Sequence, residues 1–151
     1  MTDSPHFERL RLTGPWQTCP VALTGADLSP LGDWISVPEC CHLQPALYPD
    51  NPYWGEHIRA LNLTGWLYQR TFHLDDHPQR RARLLFEAVD YYAEVWVNEQ
   101  FVGRHEGHFA PFTFDITAQA RPGDNTLSVR VSAPRKPARW VPPSFCGMLF
   151  V

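Results

Sequence analysis

The stretch WLYQRTFHL, residues 66–74, places Trp66, Tyr68, Phe72 and Leu74 on one side of an extended chain. Large apolar side chains recurring at every second position are the signature of a strand with one buried face. Arg70 falls on the same side as the odd member. A charge this near a core requires a partner, and Asp90 or Glu94 is expected to supply it.

Reading outward, the same period returns again and again. ARLLFEAV, residues 82–89, is mostly apolar, as expected of a strand covered on both sides. In YAEVWVN, Ala93, Val95 and Val97 alternate with Tyr92, Glu94 and Trp96, and Trp96 is expected to pack. Asn98, Glu99 and Gln100 then form a tight turn into a short strand from Phe101 to Arg104. Phe112, Phe114 and Ile116 alternate with polar residues. After the turn at Pro122 to Asn125, Leu127, Val129 and Val131 are expected inside, with Ser128, Arg130 and Ser132 exposed.

The first half is less regular. Arg9–Thr13, Trp16–Leu23 and Trp34–Val37 are candidate strands, and residues 39–60 read as a long ordered loop rich in aromatics. No segment sustains the helical period, so the expected fold is all-β: an antiparallel sandwich or barrel. The 15 prolines, about twice the ordinary share, separate short apolar runs and fit that class. At 151 residues, with 44% hydrophobic and 19% charged, the chain fits one globular domain, residues 1–151. The apolar run Met148 to Val151 reads like a strand cut off as it begins, so a longer protein is expected; a last strand of this domain is the milder reading.

Composition also narrows the function. Net charge is −3, and only Arg80, Arg81 and Arg83 cluster, so no nucleic-acid partner is expected. No apolar stretch approaches the roughly 20 residues of a membrane span, and the N-terminus lacks the pattern of a signal peptide. Cys19, Cys40, Cys41 and Cys146 do not suggest a disulfide framework; reduced thiols and a cytoplasmic location are expected. His105 and His108 are three apart in a Gly-containing loop rather than four apart on a helix, so a structural loop is expected and no metal. Neither a nucleophile elbow nor a phosphate loop is present. Asn62-Leu63-Thr64 has the form of a glycosylation sequon and is read as an accident.

Three blocks carry a resemblance: GWLYQRTFHL from Gly65, LLFEAVDYYAEVWVNEQFVGRHEGHFAPFTFDIT from Leu84, and GDNTLSVRV from Gly123. Over residues 65–133 they are similar, in order and spacing, to the first domain of family 2 glycoside hydrolases, the β-galactosidase, β-glucuronidase and β-mannosidase group. Upstream, Tyr48 to Gly55 resembles a loop of the β-mannosidase branch, with Asn51 interrupting its Asp-Pro pair. Glu99 stands where the family has a turn glycine, which suggests a different turn, and His108 replaces the second glycine of a Gly-Gly pair.

The resemblance implies a jelly-roll β-sandwich of the galactose-binding-domain type, packed in the whole enzyme against a catalytic (β/α)8 barrel. The retaining chemistry there belongs to two carboxylates about 5–5.5 Å apart on a barrel of about 250 residues, too long for this chain. No catalytic residue and no cofactor is therefore expected here. The partners implied are a β-glycoside, within a full enzyme, and the barrel itself. Sugar recognition needs an aromatic face and planar polar groups; Asp50, Asn51, Tyr53 and Trp54 supply both and are the candidate sugar-binding residues. The competing readings are that these rings anchor the loop, that the chain is an independent carbohydrate-binding module, or that it is a plain interaction domain.

Overall fold

A computed structural model describes residues 8–39, 42–52, 55–77 and 80–133, and the backbone of 147–150. Its spine is one long antiparallel pair, β3 (Gly65–Leu74) against β9 (Gly123–Ser132), each ten residues long. Their register runs unbroken from Trp66 opposite Val131 to Leu74 opposite Gly123. β1 (Trp16–Val21) and β2 (Ile35–Val37) extend this sheet on one side. β6 (Tyr92–Val97) and β7 (Gln100–Glu106) extend it on the other, giving the order β2-β1-β3-β9-β6-β7.

Two smaller antiparallel pairs complete the architecture. β4 (Arg83–Phe86) pairs with β8 (Phe112–Asp115), and β5 (Ala88–Asp90) pairs with β10 (Gly147–Phe150). Leu84, Phe86 and Val89 from these pairs meet Trp16, Tyr68, Val95, Leu127 and Val129 of the large sheet in one buried cluster. The antiparallel β-sandwich expected from the alternating pattern is thus the observed fold. Phe86 stacks on Phe112 with centroids 4.8 Å apart.

Several expectations change on contact with the coordinates. β4 alternates exposed and buried, with Leu85 at the surface, because only one of its faces meets the core. Residues 9–13 form no strand. Residues 39–60 contain two short helices, α1 (Leu43–Leu47) and α2 (Glu56–Ala60), followed by a 3-10 turn, Leu61–Leu63. Helices of five residues are too short to show a period, and Pro45 is tolerated in the first turn of α1 because no intrahelical partner is lost there. The apolar run near the C-terminus contributes β10, which fits both the expected continuation and a last strand of this domain.

The turn between β6 and β7 is left-handed at both central residues, Asn98 at φ 51° and Glu99 at φ 66°. The two-residue hairpin turn is therefore kept with glutamate in place of glycine, at a conformational cost that glycine would avoid. A register shift follows, since Val95 faces Gly103 while Trp96 faces Phe101. The extra residue re-aims the strand, so that Phe101 lies outward beside Trp96 and Gly103 lies under the Phe114 ring. A Cβ at position 103 would come within 2.4 Å of that ring, which explains glycine there.

One polar network closes this end of the sheet. Asn125 is 1% exposed, and its Nδ2 donates to the carbonyls of Arg121 (2.8 Å) and Gly123 (2.9 Å). Its Oδ1 accepts from the Arg121 amide (2.8 Å) and from Asn98 Nδ2 (2.8 Å). Asn98 Oδ1 in turn accepts from the Thr126 amide (3.0 Å). Donor and acceptor are both required at position 125, so Asn125→Asp is expected to lower unfolding free energy by about 3 kcal/mol in urea titration, despite its unchanged shape.

Candidate functional site

Among the described residues, the candidate loop between α1 and α2 is held by backbone and ring contacts and by Tyr48, which packs against the core. The Asn51 amide donates to the Tyr48 carbonyl (3.2 Å), and His57 Nε2 lies 3.0 Å from the Asn51 carbonyl oxygen. The rings of Tyr48 and His57 meet at 4.4 Å. Asp50 and Asn51 are exposed, so their side chains are presented to solvent. Tyr53 and Trp54, the aromatic half of the expected site, lie outside the described residues. The helices flanking the loop are anchored through buried Leu43, Ile58 and Leu61. Leu61 also offers its carbonyl to the Trp66 indole N–H at 3.0 Å.

Near the start of α1 the sandwich carries a second group of polar side chains. Asp90, 5% exposed, faces His108 Nδ1 at 2.9 Å. The Tyr91 hydroxyl donates to Glu106 Oε1 at 2.7 Å, which pushes the phenol's pKa above its usual 10. The Tyr91 and His108 rings meet at 4.8 Å. His42 belongs to this group through the field of Asp90. These residues join the ends of β5 and β7 to the loop that opens α1. Among the described residues no group of three or more His, Cys, Asp or Glu is placed to hold a metal ion.

The pairing expected from sequence is redistributed. Asp90 takes His108 and Glu94 takes Arg130, while Arg70 donates to the Thr13 and Gly14 carbonyls and lies 5.8 Å over the Trp16 ring. Neither carboxylate serves Arg70, because backbone carbonyls of the segment before β1 reach it first. Cys19 is buried and free, and burial pushes its thiol up to about 11. No periodic pattern in the sequence points to the meeting of Tyr91 and His108.

This arrangement of antiparallel sheets packed on one core defines a galactose-binding-like β-domain. The family described as glycosyl hydrolase 2 galactose-binding domain-like matches residues 33–141, and the chain belongs to it. Goat (Capra hircus) beta-mannosidase is 30% identical over 127 residues, covering 72% of this chain and 14% of that protein. A beta-galactosidase of Thermoanaerobacter pseudethanolicus is 36% identical over 69 residues, 44% of this chain and 9% of the enzyme. The structure of Bifidobacterium dentium beta-glucuronidase superposes with TM-score 0.63 at 27% identity, covering 81% of this chain and 20% of that one. The chain thus spans a small part of the length of each relative.

His42 gives the site a pH signature. Burial holds its imidazole below the usual 6.5, and Asp90 opposes this only in part. The folded state binds this proton less readily than the unfolded chain does. The contribution is therefore complete above 6.5 and is lost as pH falls through that value, levelling off below the folded-state pKa. The melting temperature is expected to fall between about pH 7.5 and about pH 5.5, and His42→Gln should flatten that interval.

Proposed function

We propose that this chain is the non-catalytic sugar-binding and scaffold domain of a retaining family 2 β-glycosidase, β-mannosidase-like or β-galactosidase-like. The observation that carries the reading is the match at 30% identity to a beta-mannosidase of which this chain covers only 14%. On this reading the two reacting carboxylates stand on a separate (β/α)8 barrel. The present chain braces that barrel and lends the loop around residues 48–57 to the rim of its pocket.

The roles assigned are limited to binding and positioning. Asp50 and Asn51 hydrogen-bond sugar hydroxyls, and Tyr53 and Trp54 offer ring faces to the apolar side of a pyranose. Contacts of this kind, remote from the reacting carbon, orient the glycoside and exclude water. Asp50 and Asn51 support the assignment by their exposure, since neither is consumed in the core.

The reading is tested on the native gene product. An antibody against this chain is expected to detect a protein several times larger than 17.4 kDa that hydrolyses aryl β-glycosides. In that protein, Trp54→Ala should lower kcat/KM by about tenfold, equal to about 1.4 kcal/mol of transition-state binding. A band at 17.4 kDa would leave the chain without a barrel and overturn the proposal.

A further inference from the structure

The outer face of the large sheet, away from the core, carries a groove that the loop-rim reading does not use. The segment joining β1 to β2, residues 22–34, folds across this face, with Leu28 packed against Cys19, Val21 and Leu67. It stops short of covering the sheet. Between it and the strands lies a cleft of about 340 Å3, lined among the described residues by Leu28, Trp34, Gln69, Trp96, Glu99 and Ser128. A second hollow of about 250 Å3 adjoins it through Ala26 and Trp96 and adds Glu94 and Phe101.

Strand register makes the floor of this groove continuous. Gln69 faces Ser128, Ser128 faces Trp96, and Trp96 faces Phe101. One row of side chains therefore crosses four strands, about 14 Å from end to end at the usual spacing between strands. The Gln69 amide donates to the Ser128 hydroxyl at 3.1 Å, which orients its planar group along the row. Phe101 meets Trp96 edge-on at 5.5 Å and is 53% exposed, while Trp34 at the wall is 42% exposed.

The chemistry of the lining is selective. Rings offer electron-rich faces to C–H groups, and the amide and carboxylates offer planar donors and acceptors. Among the described residues no lining side chain is cationic; the nearby guanidinium of Arg130 is 1% exposed and already held by Glu94 and backbone carbonyls. Glu94 is balanced by Arg130, so Glu99 is the carboxylate that leaves the groove with negative charge. Glu99 is also the residue kept at φ 66°, where glycine would relieve the backbone.

We propose that this groove is a second carbohydrate site, separate from the loop at residues 48–57, and that it takes an uncharged glycopyranoside in preference to a uronic acid or another anion. A pyranose lies with its C–H face against Trp34 or Phe101, the exposed rings of the groove. Its hydroxyls donate to Glu99 and exchange hydrogen bonds with Gln69 and Ser128. A carboxylate on the sugar meets Glu99 with no free cation in the lining to balance it.

The test is a titration of the 151-residue chain with methyl β-D-galactopyranoside, methyl β-D-mannopyranoside and methyl β-D-glucuronide, followed by indole fluorescence and by NMR shifts of the indole N–H groups. Saturable binding in the millimolar range is expected for at least one neutral glycoside, and weaker binding for the glucuronide. Trp34→Ala and Phe101→Ala, both at exposed positions, should weaken it by about tenfold. Glu99→Gly should weaken it while raising the melting temperature, a combination that a purely structural glutamate would not produce. Asp50→Ala should leave it unchanged, which separates this site from the rim loop. The proposal is overturned if no neutral glycoside shifts an indole signal, if Trp34→Ala and Phe101→Ala bind as before, if Asp50→Ala abolishes binding, or if the glucuronide binds as tightly.

Discussion

Arg130 is the constraint on which the outer half of this molecule rests. It sits in β9, the inner strand of the spine, and is 1% exposed. An ion removed from water at such a position is tolerable only when its donors are met. Glu94 on the neighbouring strand accepts from its Nε at 2.7 Å, and the Gly25 carbonyl accepts from Nη2 at 2.7 Å. The Ala22 carbonyl lies 3.4 Å from Nη1, and the guanidinium stands 5.6 Å over the Trp96 ring. One side chain thus ties two strands to the segment between β1 and β2 and fixes the orientation of an indole.

From that tie the rest of the outer face follows. With Ala22 and Gly25 drawn down onto the sheet, Leu28 reaches Leu67, and the Leu31 amide donates to the Pro20 carbonyl at 2.8 Å. The segment then walls one side of the groove and leaves Gln69 and Phe101, the ends of the row, accessible, with Ser128 and Trp96 largely buried between them. Gly65 belongs to the same arrangement, since a Cβ there would meet the Ala22 carbonyl oxygen at 2.8 Å and the Arg130 stem at 3.1 Å. Inner and outer faces are therefore built on different principles. The inner one is an apolar cluster, and the outer one is a buried charge with its attendants.

This division explains what sequence reading reached and what it missed. The inner face was legible because Trp66, Tyr68, Leu127, Val129 and Val131 follow a simple period, and burial rewards that period directly. Period two also assigned Arg130, Ser128 and Ser132 to the outer face. All three are buried, and Arg130 is tied to a distant segment folding across the strands, which no local pattern records. The same limit applies to the Asp90–His108 and Tyr91–Glu106 pairs, brought together by the ends of separate strands. The helices α1 and α2 escaped because five residues cannot display a helical repeat. Glu99 adopted the turn expected of glycine because the hairpin and the network around Asn98 and Asn125 determine the backbone there.

The outer face therefore depends on Arg130 holding the 22–34 segment in place. Hydrogen exchange of the Leu31 amide in the double variant Arg130→Met with Glu94→Leu tests it directly, since that variant leaves no charge of the pair unpaired. Loss of protection at Leu31, with amides of the β3–β9 ladder still protected, is expected if the guanidinium holds the segment. Leu31 protected as fully as before would show that the segment is held by something other than this guanidinium, and would contradict that dependence.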